Sequence, residues 1–112
     1  MSRWRRAPEL ADGLRLLEDG QSRQAHEAFE EAWRAHRGRP VGEAARALAQ
    51  WAAACLHRAA GRESGYRGLA TKCARTLATA SLDAELDTRA LAAWIDARAR
   101  EAPAGDALLP PA

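Results

Sequence analysis

The chain has 112 residues, 17 of them Lys or Arg against 15 Asp or Glu, for a formal net charge of +2. That length fits one domain able to bury a modest core, and so small a net charge gives no electrostatic footprint for nucleic acid. Hydrophobic residues make up 47% but aromatics only 5%, and roughly a quarter of the chain is Ala, which suits close-packed helices and fills a β-sandwich poorly.

The first seven residues, with Arg3 to Arg6 around Trp4, read as a basic arm. A first helix is expected from about Pro8 to Asp19, with Leu10, Leu14 and Leu17 on one face. Gly20 in "EDGQS" suits the left-handed position that closes a helix. A second helix follows Ser22, gathers Ala25, Phe29, Ala32, Trp33 and His36 on one side, and stops at "RGRPVG". The third, about Gly42 to Ala60, is apolar nearly all round in "AARALAQWAAACLHRAA", so it should be central and packed on several sides. Gly61 to Gly65 forms a tight connection with Ser64 as N-cap of a fourth helix, in which Tyr66, Leu69, Ala70, Cys73, Leu77 and Ala80 recur at helical spacing. After "ASLDAEL", Asp87 is the expected N-cap of a fifth helix that buries Leu91, Trp94 and Ile95 and ends near Glu101. Residues 102–112, "APAGDALLPPA", read as a flexible tail whose leucine pair is also a candidate contact for a second copy in a homodimer. No strand pattern, hairpin turn or repeat occurs. The expectation is an all-α fold: a compact bundle of about five helices over residues 8–101, with the third helix in the middle.

Cys55 and Cys73 are too few for a disulfide framework or a zinc knuckle and read as small buried hydrophobes. No apolar run follows the basic start and none reaches the roughly 18 residues of a membrane span, so a cytoplasmic protein is expected.

Polar residues interrupt two apolar faces. On the second helix His26, Glu30 and Trp33 fall within one third of the circle, beside Phe29. On the third, Glu43, Arg46, Gln50 and His57 share one stripe. That stripe is either the solvated edge of a buried helix or, with the two helices face to face, half of a polar pocket formed by His26, Glu30, Trp33, Gln50 and His57. An i, i+4 His and carboxylate pair can hold one metal from a single helix face. His26 and Glu30 would be two ligands, His57 the third, and water would complete an open site. A carboxylate in place of a second His favours harder ions, which leaves Zn, Mn and Fe as candidates. Glu27 stands where zinc proteases carry their general base. His36, about ten residues along the helix and so roughly 15 Å away, cannot join the set. The structural alternative is a His26–Glu30 hydrogen bond or a link to Arg23 or Arg34.

The runs "LEDGQSRQAHEAFEEAWRAHRG" and "ALAQWAAACLHRAAGRESGYRGLATKCARTL" resemble the bacterial and archaeal family known as domain of unknown function 309, over about Leu10 to Ile95. His26, Glu30 and Trp33 meet its H-x-x-x-E-x-x-W/Y signature, and Gln50, His57 and Gly61 match its second half. Arg62 stands where the family has Asn, and the aromatic residue expected near Gln21 and Ser22 is missing. The resemblance implies an all-helical bundle with no established activity and a His/Glu motif suggested to bind metal. Three functions compete on this reading. The first is a structural or binding module for a small molecule or protein partner, and the second a metal-binding protein acting as a hydrolase, with Gln50 orienting water or substrate. The third is a nucleic-acid contact through Arg3 to Arg6, which so short a cluster makes the weakest of them.

Overall fold

A computed structural model describes residues 6–80, 86–100 and 107–110. Its elements are α1 (Pro8–Glu18), α2 (Ser22–Ala35), α3 (Pro40–Ala59), α4 (Glu63–Thr79) and α5 (Thr88–Arg100), with no strand among the described residues. The fold is all-α, and α3 packs against both α2 and α4, while α1 lies mainly on α2 and α5 on α4.

Local chemistry sets most of the boundaries. Gly20 (φ 75°) and Gly61 (φ 76°) each adopt the left-handed conformation. After α1 the Gly20 and Gln21 N–H groups donate to the Leu17 and Leu16 carbonyls, and after α3 those of Gly61 and Arg62 donate to Arg58 and His57. This paired bonding closes both helices and satisfies carbonyls that would otherwise be stranded. At the start of α5, Asp87 Oδ1 accepts from the Ala90 N–H at 2.9 Å, the expected cap. Two starts differ from expectation. α3 begins at Pro40, because proline fits the first helical position, where no N–H is needed. α4 begins at Glu63 with Arg62 as N-cap, so Ser64 and Gly65 lie inside its first turn and not in the connection.

The core follows the apolar faces. Leu10, Leu14 and Leu17 of α1 are fully buried, as are Ala25 and Phe29 of α2. α3 buries eleven of its 20 residues, among them Leu48, Trp51 and Cys55. The Trp51 ring lies 6.1 Å from Tyr66 of α4 and 6.0 Å, edge-on, from Trp94 of α5, which ties the second half of the bundle together. Of the segment expected to be a flexible tail, residues 107–110 rest on this core. Trp51 Nε1 donates to the Leu108 carbonyl at 2.7 Å, and Leu109 is buried. Residues 1–5 of the expected arm, 81–85 of the fourth connection, 101–106, 111 and 112 lie outside the described residues. Among those described, no helix is long and apolar enough to cross a membrane.

Candidate functional site

The polar residues of α2 form a ladder along one face. His26 Nε2 lies 3.0 Å from Glu30 Oε1, and Arg34 Nη1 lies 3.5 Å from Glu30 Oε2, so one carboxylate serves two partners, each four residues from it. The side chains are 32% (His26), 38% (Glu30) and 57% (Arg34) exposed. This is a half-exposed strip. With neutral imidazole, Nε2 carries the proton given to Glu30 and Nδ1 is left as an acceptor. Glu27 is exposed. His36, at the C-cap of α2, takes its contact from Arg39, whose Nη1 lies 3.0 Å from His36 Nδ1.

One turn beyond Glu30, Trp33 is half-buried against the core. Two arginines bear on its ring: the Arg37 guanidinium carbon stands 4.9 Å from the ring centroid and that of Arg46, on α3, stands 5.6 Å from it. Both distances lie within the range of cation–π attraction.

Gln50 and His57 occur at i and i+7 on α3, about 10 Å apart along its axis. Gln50 Oε1 and His57 Nδ1 are buried, and they are the only buried side-chain nitrogen or oxygen atoms among the described residues without a hydrogen-bond partner. The reason His57 fits lies on α4. A Cβ placed on Gly65 would stand 2.6 Å from His57 Nδ1 and 3.0 Å from its Cγ. The imidazole therefore occupies the room a side chain at Gly65 would take, with Nδ1 turned toward the bare backbone.

The structure thus brings His26 and Glu30 into direct contact, keeps Trp33 beside them on α2, and leaves Gln50 Oε1 and His57 Nδ1 without bonds to either. Among the described residues, no group of three or more His, Cys, Asp or Glu is arranged to hold a metal ion. Two clefts, of about 390 Å³ between α4 and α5 and about 320 Å³ beside Cys55 and Leu108, are lined by none of the five candidate residues. The sequence reading missed Gly65 and the two arginines on Trp33. Two glycines inside one helix, Gly65 and Gly68, were the available signal, since glycine there weakens a helix unless close approach requires it.

Cys55 and Cys73 are buried free thiols. Burial pushes the Cys55 thiol up to about 12, opposed by Arg58. Burial, and then the neighbouring Cys55, push Cys73 up as well, against a hydrogen bond to the Trp51 backbone. Neither is poised as a nucleophile.

The model of a family described as Domain of unknown function (DUF309) matches residues 10–69, which include all five candidate residues. No curated protein and no solved structure matches the chain.

Proposed function

The chain belongs to the DUF309 family, and from that premise we propose that it is a helical binding module, using the polar strip of His26, Glu30 and Trp33 on α2 with Gln50 and His57 on α3 to contact a small molecule or a protein partner. The observation that carries this reading is the orphaned Gln50 Oε1; His57 Nδ1 is unpaired too, but it faces Gly65, so His57 would meet a ligand through Nε2. Each stranded buried polar atom costs about 1–3 kcal/mol, so an apolar residue would serve the bundle better, and such atoms call for a water, ion or ligand as partner. On α2 the His26–Glu30 pair offers an imidazole and a carboxylate within reach of solvent.

The test pairs stability with binding. Gln50→Leu should leave urea stability unchanged or raised, and fragments screened by amide-resolved NMR should shift residues of α2 and α3 along the strip. His26→Ala should cost under about 1 kcal/mol, because the contact with Glu30 that it removes is about a third exposed. A Gln50→Leu protein destabilised by more than about 1 kcal/mol would show that Oε1 is satisfied inside the fold, and fragment shifts confined to the α4–α5 cleft would move the site elsewhere.

A second reading makes His26 and Glu30 ligands of a divalent Zn, Mn or Fe ion, with His57 as the third and hydrolysis as the chemistry. Its support is the 3.0 Å approach of Nε2 to Oε1, close to the roughly 3.3 Å separating two tetrahedral ligands with bonds of about 2.0 Å. His57 would have to bind through Nε2, since Nδ1 faces Gly65. Stoichiometric metal, and a melting temperature lowered by chelator in the parent but not in His26→Ala, would favour this reading. Identical melts without metal would end it.

A further inference from the structure

The two arginines on Trp33 are the strongest feature the binding reading does not use. Arg37 follows the end of α2 and Arg46 lies in the second turn of α3, so they reach one indole from two helices. Both are exposed at the surface. Among the described residues neither has a carboxylate partner, although Arg34 nearby is paired with Glu30 and Arg67 with Glu63. Two like charges near one ring repel each other, and the ring's attraction offsets only part of that repulsion. A guanidinium held against an aromatic ring keeps its N–H edge free, and that edge matches the two oxygens of a phosphate or carboxylate. Because both guanidinium carbons lie so near one ring centroid, their separation cannot exceed the sum of those two distances, a span that a ligand with more than one negative charge can bridge.

We propose that Arg37 and Arg46, held against Trp33, form a subsite for a multiply charged phosphate group of a small ligand. The subsite adjoins the strip described above, since Arg46 is one turn from Gln50 on α3 and Trp33 is one turn from Glu30 on α2. It does not depend on the orphaned atoms. Arg37 and Arg46 would bind the anion whether or not Gln50 and His57 contact the rest of the ligand.

Inorganic pyrophosphate is the probe, titrated into the full chain by calorimetry and followed by tryptophan fluorescence. Saturable one-to-one binding is expected, at least tenfold weaker in Arg37→Gln and in Arg46→Gln, weaker at higher salt, and accompanied by a fluorescence change absent from Trp33→Phe. Arg46→Lys keeps the charge but not the fork, so it should lose most of the affinity as well, whereas Arg75→Gln, on α4, should bind like the parent. Melting each variant without ligand confirms that it is folded. Equal affinities in the parent and Arg46→Gln would overturn the proposal, as would full retention in Arg46→Lys. Absence of saturation, with only a single-stranded RNA oligonucleotide binding, would overturn it too and assign the patch to nucleic acid.

Discussion

Replacing Gly65 by Ala tests the placement of His57 more sharply than altering His57 itself. The new Cβ would stand 2.6 Å from Nδ1, 3.0 Å from Cγ and 3.1 Å from Cε1, and ordinary contact begins at 3.4 Å, so the ring must retreat by about 0.8 Å or turn out of its site. Overpacking of this kind costs about 1–3 kcal/mol. Ala in place of Gly returns up to about 1 kcal/mol in a helix interior and less at Gly65, the third residue of α4. The expected net effect is a loss of about 0.5–2 kcal/mol. Gly68 supplies the control, because nothing lies within 4 Å of a Cβ placed there. Gly68→Ala should therefore stabilise by about 0.5–1 kcal/mol. In a His57→Ala background the obstruction is gone, and Gly65→Ala should turn neutral or mildly stabilising, giving a coupling of about 1–3 kcal/mol between the two positions. Urea denaturation followed by far-UV circular dichroism reads all five proteins. If Gly65→Ala stabilises the parent as much as Gly68→Ala does, or if the cycle is additive, His57 does not rest on Gly65 and the argument about its orphaned Nδ1 fails.

Gly13→Ala would place a Cβ 2.6 Å from Phe29 Cζ and 2.7 Å from Cδ1, and since that ring is fully buried a loss of about 1–3 kcal/mol should appear in the same denaturation assay. Gly42→Ala should be worse, because the obstacle is the His36 carbonyl, which as backbone cannot swing aside. Removing Ala107 to Ala112 exposes the site of Leu109 and strands the Trp51 N–H. A loss of about 2–4 kcal/mol is expected, and unchanged melting would mean that the segment does not dock in solution. Cys55 should hold its proton to about 12 when folded against 9.0 for an ordinary thiol. Folding then binds a proton between those values, and stability falls as pH rises through that window. Cys55→Ala should flatten this alkaline decline without abolishing it, because burial also holds Cys73 and Tyr66 above their usual ranges; an unchanged pH profile of urea midpoints would refute the shift.

What the sequence made legible is what depends on neighbours along the chain. Leu10, Leu14 and Leu17 recur at helical spacing and are all buried, Gly20 closes α1 in the left-handed conformation, and Asp87 caps α5. The near-continuous apolar surface of α3 gave away its central place, because a helix with few polar positions must be covered on several sides. The docking of residues 107–110 was not legible. It depends on a bond from Trp51 to Leu108, 57 positions away, and on burial of one leucine in a segment whose proline and glycine content suggests a mobile end. Gly65 was misplaced for a related reason: next to Gly61 it looks like part of a turn, and only the approach of His57 from α3 explains a glycine inside α4.

The candidate site divides along the same line. His26 and Glu30 meet because four residues are one turn of helix, so their contact could be read from spacing and by itself says nothing of function. The features on which the proposals rest need two helices at once: Arg46 reaching from α3 to the Trp33 of α2, and His57 of α3 seated on Gly65 of α4. A polar network built to fix helix register would join these residues to one another and leave no buried atom unpaired. Here the α2 pair is satisfied within its own helix while Gln50 Oε1 and His57 Nδ1 of α3 are left without partners. Apolar packing and the rings of Trp51, Tyr66 and Trp94 tie the helices together. On the proposed reading Gln50 adds nothing to the cohesion of the bundle, and a position that the fold does not need for itself is free to be shaped by whatever it contacts.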